Sequence, residues 1–190
     1  YIINLLQKDK DEKITAFVTV KEFSEVQYLV MATEKVTIKK TVLSSYGNVR
    51  KGGINAINLV KGDRLIEVMM TDGNNDIVLG TRNGFAKRLH EKDVRNMGRK
   101  ATGVRGVRLS KDDIVVGMLV IQHQGATILV VTEHGYGKRS DIKDYRITRL
   151  GGKGVITVKT IPKVGKMIAL MGVVDKDELV IITTKGMVIR

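Results

Sequence analysis

The sequence predicts an all-β fold assembled from repeated units of about fifty residues, related to the blades of a β-propeller. A short apolar run followed by a turn and basic residues occurs four times along the chain. The threonines that end these runs are spaced 48, 51 and 51 residues apart, at Thr33, Thr81, Thr132 and Thr183. The runs are short, rich in Val and Ile and bounded by turn residues, which is typical of strands. A helix of more than two turns has no place in this pattern.

Each unit begins with a hairpin whose second strand carries a pair of cations. The dipeptide Asn83-Gly84 predicts a two-residue turn in which both residues take positive φ. In the first hairpin Val36 stands where the others have glycine, so we expect a different turn there. Because adjacent strand residues point to opposite faces, each pair is expected to direct at least one cation outward. The pairs are Lys39-Lys40, Lys87-Arg88 and Lys138-Arg139, and Arg190 holds the corresponding position in the last unit.

A glycine-bearing turn and a further short strand follow each hairpin, and this segment is also basic. The aligned glycines of this segment are Gly53, Gly103 and Gly151. The residues three positions later also align, as Ala56, Gly106 and Gly154. Backbone N–H groups in glycine turns can form concavities that bind anions, and glycine allows an anion to approach closely. The cations of these segments are Arg50, Lys51, Arg99, Lys100, Arg105, Arg149 and Lys153, of which Lys153 within GGKG is the strongest candidate for a phosphate contact.

We expect one domain over residues 1–190. Its repeat units are predicted at approximately 7–59, 60–109, 110–158 and 159–190, with residues 1–6 as the tail strand of a preceding blade. The last unit is expected to be truncated. Since a closed propeller usually has at least four blades, the domain is expected to be part of a larger ring or spiral.

Composition indicates a polyanionic partner. The chain has 33 Lys and Arg against 20 Asp and Glu, a formal charge of +13 and an isoelectric point near 9.9. Such an excess favours nucleic acid, and an anionic membrane surface comes second. Aromatic residues make up only 4%, which disfavours single strands that need stacking platforms and favours duplex DNA held through its phosphates. The cations of the basic pairs and of the glycine-bearing segments are therefore the predicted DNA contacts.

A search for an enzyme finds no catalytic set in the sequence. The three histidines, His90, His123 and His134, have no short metal-binding spacing, and the chain has no cysteine. The GGKG sequence lacks the Ser or Thr that follows the lysine of a phosphate-binding loop. No apolar stretch approaches the ~20 residues of a membrane span. We expect no catalytic residue, no metal site, no cofactor and no membrane association.

Several segments resemble the C-terminal domain of the DNA gyrase A subunit, in order along nearly the whole chain. They are DEKITA from Asp11, YLVMATEKVTIKKT from Tyr28, GRKATGVRGVRL from Gly98, EHGYGKR from Glu133 and KGVITVK from Lys153. The resemblance implies a β-pinwheel, a propeller-like ring of six four-stranded blades that exchange strands with their neighbours. It also implies a non-catalytic domain that wraps duplex DNA around a basic rim without sequence specificity. Wrapping would give the DNA crossing a defined handedness, so that ATP-dependent strand passage introduces negative supercoils.

The resemblance further implies the partners and the location. The cleaving tyrosine lies elsewhere in the gyrase A subunit, while ATP binds to the gyrase B subunit, so both are expected partners in a bacterial cytoplasmic, nucleoid-associated enzyme. The family's QRRGGKG box belongs to the first blade; here a partial version, TRLGGKG, runs from Thr148 to Gly154 in a late blade. Without an intact box we expect bending without complete wrapping. Two alternatives are the C-terminal domain of the topoisomerase IV A subunit, and a propeller scaffold whose basic rim binds an acidic protein.

Overall fold

The computed structural model describes residues 13–50, 52–122 and 125–190, and in them the fold is all-β, as predicted. The only helical elements among these residues are three short 3-10 turns, at Leu43–Tyr46, Glu91–Asp93 and Ile142–Asp144. The strands are β1 (Tyr28–Thr33), β2 (Thr37–Val42), β3 (Leu65–Thr71), β4 (Asp76–Thr81), β5 (Phe85–His90), β6 (Val104–Arg105), β7 (Val115–Ile121), β8 (Thr127–Thr132), β9 (Gly137–Asp141), β10 (Val155–Ile156), β11 (Met167–Val173), β12 (Ile181–Ile182) and β13 (Val188–Ile189).

The strands form successive antiparallel sheets that share strands between repeats. The first sheet has the order β3-β1-β2-β6 and the second has the order β7-β4-β5-β10. In each, a hairpin is flanked on one side by the next long strand and on the other by a two-residue strand that comes from beyond the following hairpin. The third sheet, β11-β8-β9, has no such outer strand in the described part of the chain. This exchange of short strands places part of each repeat on the sheet of the repeat before it.

In the first two sheets the recurring threonine joins the hairpin to the turn that precedes the next long strand. Thr33 Oγ1 donates to Asp63 Oδ2 at 2.7 Å, and Thr81 Oγ1 donates to Asp113 Oδ2 at 2.8 Å. Both threonines are buried, and each aspartate also accepts backbone N–H groups, Lys35 N in the first case at 2.9 Å. In the first two sheets the recurring threonine therefore makes a buried hydrogen bond at the hairpin tip, whereas Thr132 Oγ1 in the third donates to Tyr136 O of its own hairpin at 3.2 Å.

The hairpin turns differ from the sequence prediction in two ways. Asn83 is not among the residues with positive φ, whereas Gly84 has φ 83°, so the predicted two-residue turn is wrong. Gly84 N instead donates to Thr81 O at 2.9 Å, closing a turn whose last residue is left-handed. Val36 has φ 90° and takes the same place, so the prediction of a different turn in the first hairpin is also wrong.

Two apolar clusters fill the spaces between neighbouring sheets. The first joins residues of the first and second sheets, and the second joins residues of the second and third sheets. Each is built from the inward faces of central strands, where side chains are essentially inaccessible. Representative members are Val30, Ile38, Ile77 and Leu79 in the first cluster and Val78, Ile128, Val130 and Met167 in the second.

The last pair of strands contributes little to this core. The side chains of β12 and β13 are exposed, with Ile182 and Val188 above 60%. The predicted unit boundaries at 7–59, 60–109, 110–158 and 159–190 stay a prediction, because a unit of sequence and a sheet share only some of their strands. The predicted tail strand at residues 1–6 lies outside the described residues.

Candidate nucleic-acid interface

The first two basic pairs are buried. Lys39 is 0% exposed, Lys87 1% and Lys40 6%, and the Arg88 side chain is 18% exposed. The expectation that each pair directs a cation outward is therefore wrong for these two pairs. The reason is the strand exchange: β2 and β5 look like edge strands in the sequence, but the glycine-bearing segment of the following repeat covers them.

The first lysine of each buried pair binds backbone of that following segment. Lys39 Nζ donates to Ala56 O at 2.6 Å and also to Arg99 O. Lys87 Nζ donates to Thr148 Oγ1 at 2.9 Å and also to Arg149 O. Each ammonium group thus replaces water with acceptors of the fold, as a buried cation requires.

The second residue of each pair binds the 3-10 turn of the following repeat. Lys40 Nζ donates to Glu91 O at 2.8 Å and lies 4.0 Å from Glu91 Oε2. Arg88 Nη1 donates to Ile142 O at 2.9 Å, while Arg88 Nη2 lies 2.5 Å from Asp76 Oδ2. Glu91 and Ile142 are themselves 51 residues apart, so the two contacts are equivalent.

Burial also changes the protonation of these lysines. It lowers the pKa of Lys39 to about 8, and the charge of Arg99 acts in the same direction. Burial lowers the pKa of Lys87, against an opposing effect of Asp93. For Lys40, burial lowers the pKa, the Glu91 carboxylate opposes this, and Lys92 adds to it. The buried pairs are therefore structural cations.

The third pair differs, since Lys138 and Arg139 are exposed. Arg139 donates to Thr127 Oγ1 and pairs with Asp175, whose side chain is 89% exposed, at 2.7 Å. No glycine-bearing segment lies on β9 within the described residues. The third pair thus points outward in the described residues, as the sequence predicts for all three pairs, and its Arg139 is engaged by Thr127 and Asp175.

The glycine-bearing segments lie side by side. Asn58 N donates to Ala101 O at 3.2 Å, which joins the first segment to the second. Gly151 N donates to Gly106 O at 3.2 Å and Arg108 N donates to Gly152 O at 3.0 Å, which joins the second to the third. These contacts make a continuous row across three repeats.

The structure shifts the sequence alignment of the glycines by three residues. Gly103 precedes β6 with φ 115°, and Gly154 precedes β10 with φ 88°. A Cβ at Gly103 would lie 2.7 Å from Ile38 O, and one at Gly154 would lie 2.4 Å from Ala86 O. Ile38 and Ala86 occupy equivalent positions on β2 and β5, so Gly103 corresponds to Gly154, 51 residues on. Pairing Gly103 with Gly151 was wrong because Gly154, and not Gly151, is the residue directly before the exchanged strand β10.

Most predicted cations of these segments are exposed. They are Arg50, Lys100, Arg105, Arg149 and Lys153, with Arg99 half-buried, and Lys51 lies outside the described residues. Lys153 Nζ lies 4.3 Å from the centre of the Phe85 ring, so the ring positions the ammonium group while leaving it accessible. The sequence predicted outward cations on both the hairpins and the glycine-bearing segments. For the first two hairpins, the predicted cations that are exposed in the structure lie on the segments.

Three further pairs of exposed cations lie on these segments or on the 3-10 turns directly before them, and the sequence prediction did not include them. Their members are 51 residues apart, the spacing that already relates the hairpin threonines, so that spacing could have revealed them. The pairs are Lys92 with Lys143, Arg95 with Arg146, and Arg108 with Lys159. We use the name cationic row for the exposed cations of residues 92–108 and 143–159.

Other kinds of site find little support in the part of the chain that the structure describes. Its His, Asp and Glu side chains form no group of three that could hold a metal ion. None of its helices is long and apolar enough to cross a bilayer.

Comparison with known proteins gives the family. The sequence model described as DNA gyrase C-terminal domain, beta-propeller, matches residues 27–72, 75–122, 126–171 and 177–190. Three of these ranges coincide with a hairpin and its following long strand.

Curated relatives agree with that match. The chain is 44% identical over 193 residues to the DNA gyrase A subunit of Haloquadratum walsbyi, covering 99% of this chain and 22% of the relative. It is 41% identical over 189 residues to the DNA gyrase A subunit of Escherichia coli, covering 100% of this chain and 22% of the relative. The chain thus spans about a fifth of the length of these relatives.

Solved structures share the fold. A crystal structure of the C-terminal domain of DNA topoisomerase IV matches with a TM-score of 0.91 at 27% identity, covering 99% of this chain and 59% of that one. A structure of the DNA gyrase A C-terminal domain matches with a TM-score of 0.87 at 23% identity, covering 98% and 62%. The topoisomerase IV alternative is weaker, because the family model and these curated relatives carry the name gyrase. With the repeated sheets and the matched ranges together, the chain belongs to the DNA gyrase C-terminal domain family of β-propeller type.

Proposed function

We propose that this chain binds duplex DNA without sequence specificity along the cationic row and bends it. The observation that carries the proposal is the set of exposed cations on and next to two glycine-bearing segments that lie side by side, with three pairs of them 51 residues apart. Duplex DNA carries one negative charge per ~1.7 Å of axis, so a row of cations can neutralise successive phosphates. Contacts in series offset the cost of bending, of order 1–6 kcal/mol for 40–90° over 20–30 bp.

In the parent enzyme this binding would fix the hand of the DNA crossing before strand passage. The chain itself would supply no catalytic residue or cofactor. Its partners would be the gyrase B subunit, together with the rest of the gyrase A subunit, in an ATP-dependent type II topoisomerase of the bacterial cytoplasm, associated with the nucleoid. The support for this role is membership of the gyrase family, together with the charge distribution of the cationic row.

The position of the buried lysines changes which substitutions can test the proposal. Reversing the charge at Lys39, Lys87 and Lys138 together is the test that the sequence suggests. At Lys39 and Lys87, however, a carboxylate would face backbone carbonyl oxygens in a buried site, so the variant would test folding rather than DNA contact.

A sharper test reverses charges on the cationic row. Affinity for a labelled linear duplex is measured between 50 and 200 mM salt for the unchanged chain and for a K100E/R149E variant. The slope of log K against log salt should fall by about two, because each phosphate contact contributes about 0.9.

The matched control is K61E/K111E. Lys61 and Lys111 are exposed, occupy equivalent turns before β3 and β7, and lie outside the sequence ranges 92–108 and 143–159 that define the cationic row. This control should keep most of the slope. An equal loss in both variants would mean that net charge alone governs binding, and a slope near zero for the unchanged chain would overturn the proposal.

A further inference from the structure

We propose that Lys39 and Lys87 are positioning residues for DNA, each holding one basic glycine segment of the cationic row in place. This rests on the proposed function, because it assigns these two buried lysines a part in DNA binding that involves no contact with DNA. Each would act through the backbone carbonyl that it binds.

The two lysines make the same connection between successive repeats. They are 48 residues apart on β2 and β5, and their ammonium groups bind Arg99 O and Arg149 O, which are 50 residues apart. Each bond therefore crosses from a hairpin to the segment of the next repeat. Lys39 also binds Ala56 O, so one ammonium group joins two neighbouring segments.

The anchored carbonyls lie within turns whose backbone hydrogen bonds are made on either side of Arg99 and Arg149, such as Asn58 N to Ala101 O at 3.2 Å and Gly151 N to Gly106 O at 3.2 Å. In the second segment, Met97 N donates to Lys40 O at 2.9 Å and pairing of β6 begins at Val104. Between these points lie Arg99 and Lys100, and Gly98 has no heavy atom within 4 Å of the site of an added Cβ. The lysine bond supplies an interior anchor next to the exposed cations.

The third repeat serves as an internal comparison. Lys138 occupies the position on β9 that Lys39 and Lys87 occupy on β2 and β5, yet it is exposed. β9 carries no glycine segment in the described part of the chain. Burial of the lysine thus accompanies the bound segment and is not a property of the hairpin alone.

The test compares K39M and K87M in limited digestion with trypsin, which cleaves after Lys and Arg. K39M should accelerate cleavage after Arg99 and Lys100 and leave cleavage after Arg149 and Lys153 unchanged. K87M should give the reverse pattern. Equal acceleration at both segments would contradict positioning, because a general loss of stability exposes all sites together. No acceleration at either segment would also contradict it, because the lysine bond would then not be holding the segment.

DNA binding by the same variants provides the second measurement. For each methionine variant the slope of log K against log salt should fall by about one to two, as if phosphate contacts were lost. K111M, which removes one exposed charge elsewhere, should leave it unchanged. K39R, which keeps the donor groups, should retain more of the slope than K39M.

The outcomes separate this inference from the proposed function. If the unchanged chain binds DNA with a steep salt dependence and folded K39M and K87M bind equally well, the positioning role is wrong and the proposed function stands. If the affinity of the unchanged chain for DNA does not depend on salt, the proposed function is wrong, and so is the positioning role that rests on it. Urea unfolding establishes that each variant is folded, and Lys→Gln, which keeps one donor group, replaces any methionine variant that is not.

Discussion

At the scale of single residues, basic side chains serve two separate purposes in this domain. Lys39, Lys40 and Lys87 are buried and bind carbonyl groups, whereas Lys100 and Lys153 are exposed on the segments that those bonds hold. Residue type and strand alternation could not distinguish the two groups, because alternation describes a strand with one solvated face. The lysines of β2 are instead buried against Ala56 of the same repeat and against Glu91 and Arg99, which are more than fifty positions away.

Lys39 gives a pH-dependent prediction at this scale. Its pKa is about 8 in the folded chain, against 10.5 for an unperturbed lysine, so between these values the unfolded chain binds more protons. The free energy of unfolding contributed by Lys39 should therefore rise as the pH increases from 8 to about 10.5. Urea unfolding of the unchanged chain and of K39M at several pH values measures this contribution as their difference. A difference that stays constant or falls over this range would contradict the burial of a titrating ammonium group.

At the scale of elements, the exchanged two-residue strands connect the repeats. The sequence predicts the period, the hairpins and the basic glycine segments, since each leaves a local pattern of Val, Ile, Gly and Lys. It does not predict that β6 pairs with β2 or β10 with β5, because two-residue strands have no periodicity. The misassigned glycine pair, Gly103 with Gly151, follows from the same lack of a local signal.

Gly154 tests the exchange of strands directly. It combines φ 88° with a site where an added Cβ would lie 2.4 Å from Ala86 O. G154A should destabilise the chain by at least about 2 kcal/mol. Alanine is strained at this left-handed φ, and its Cβ would overlap the backbone of β5. Equilibrium unfolding in urea measures the change.

The matched control is G98A, in the equivalent region of the preceding repeat. Gly98 has no left-handed φ and no heavy atom within 4 Å of an added Cβ, so its change should stay within about 0.5 kcal/mol. Similar effects at the two positions would argue against close packing of the exchanged strand.

At the scale of the whole molecule, the repeat converts a net charge of +13 into an ordered surface. Segments from successive repeats meet through backbone hydrogen bonds, and the second and third repeats carry exposed cations at equivalent positions. Composition alone predicted a polyanionic partner and favoured duplex DNA, and the resemblance to the gyrase domain added the expectation of wrapping. The proposal that the DNA track lies on the glycine segments more than on the hairpins required the structure, because it depends on which lysines the fold buries.

Acetylation footprinting tests the position of this track most directly. The chain is treated with an acetylating reagent with and without a linear duplex, and the modification of each lysine is measured by mass spectrometry. Lys100, Lys143, Lys153 and Lys159 should become protected when DNA is bound, whereas Lys61 and Lys111 should react equally in both states. Protection of Lys61 and Lys111 with no change along the cationic row would contradict the account.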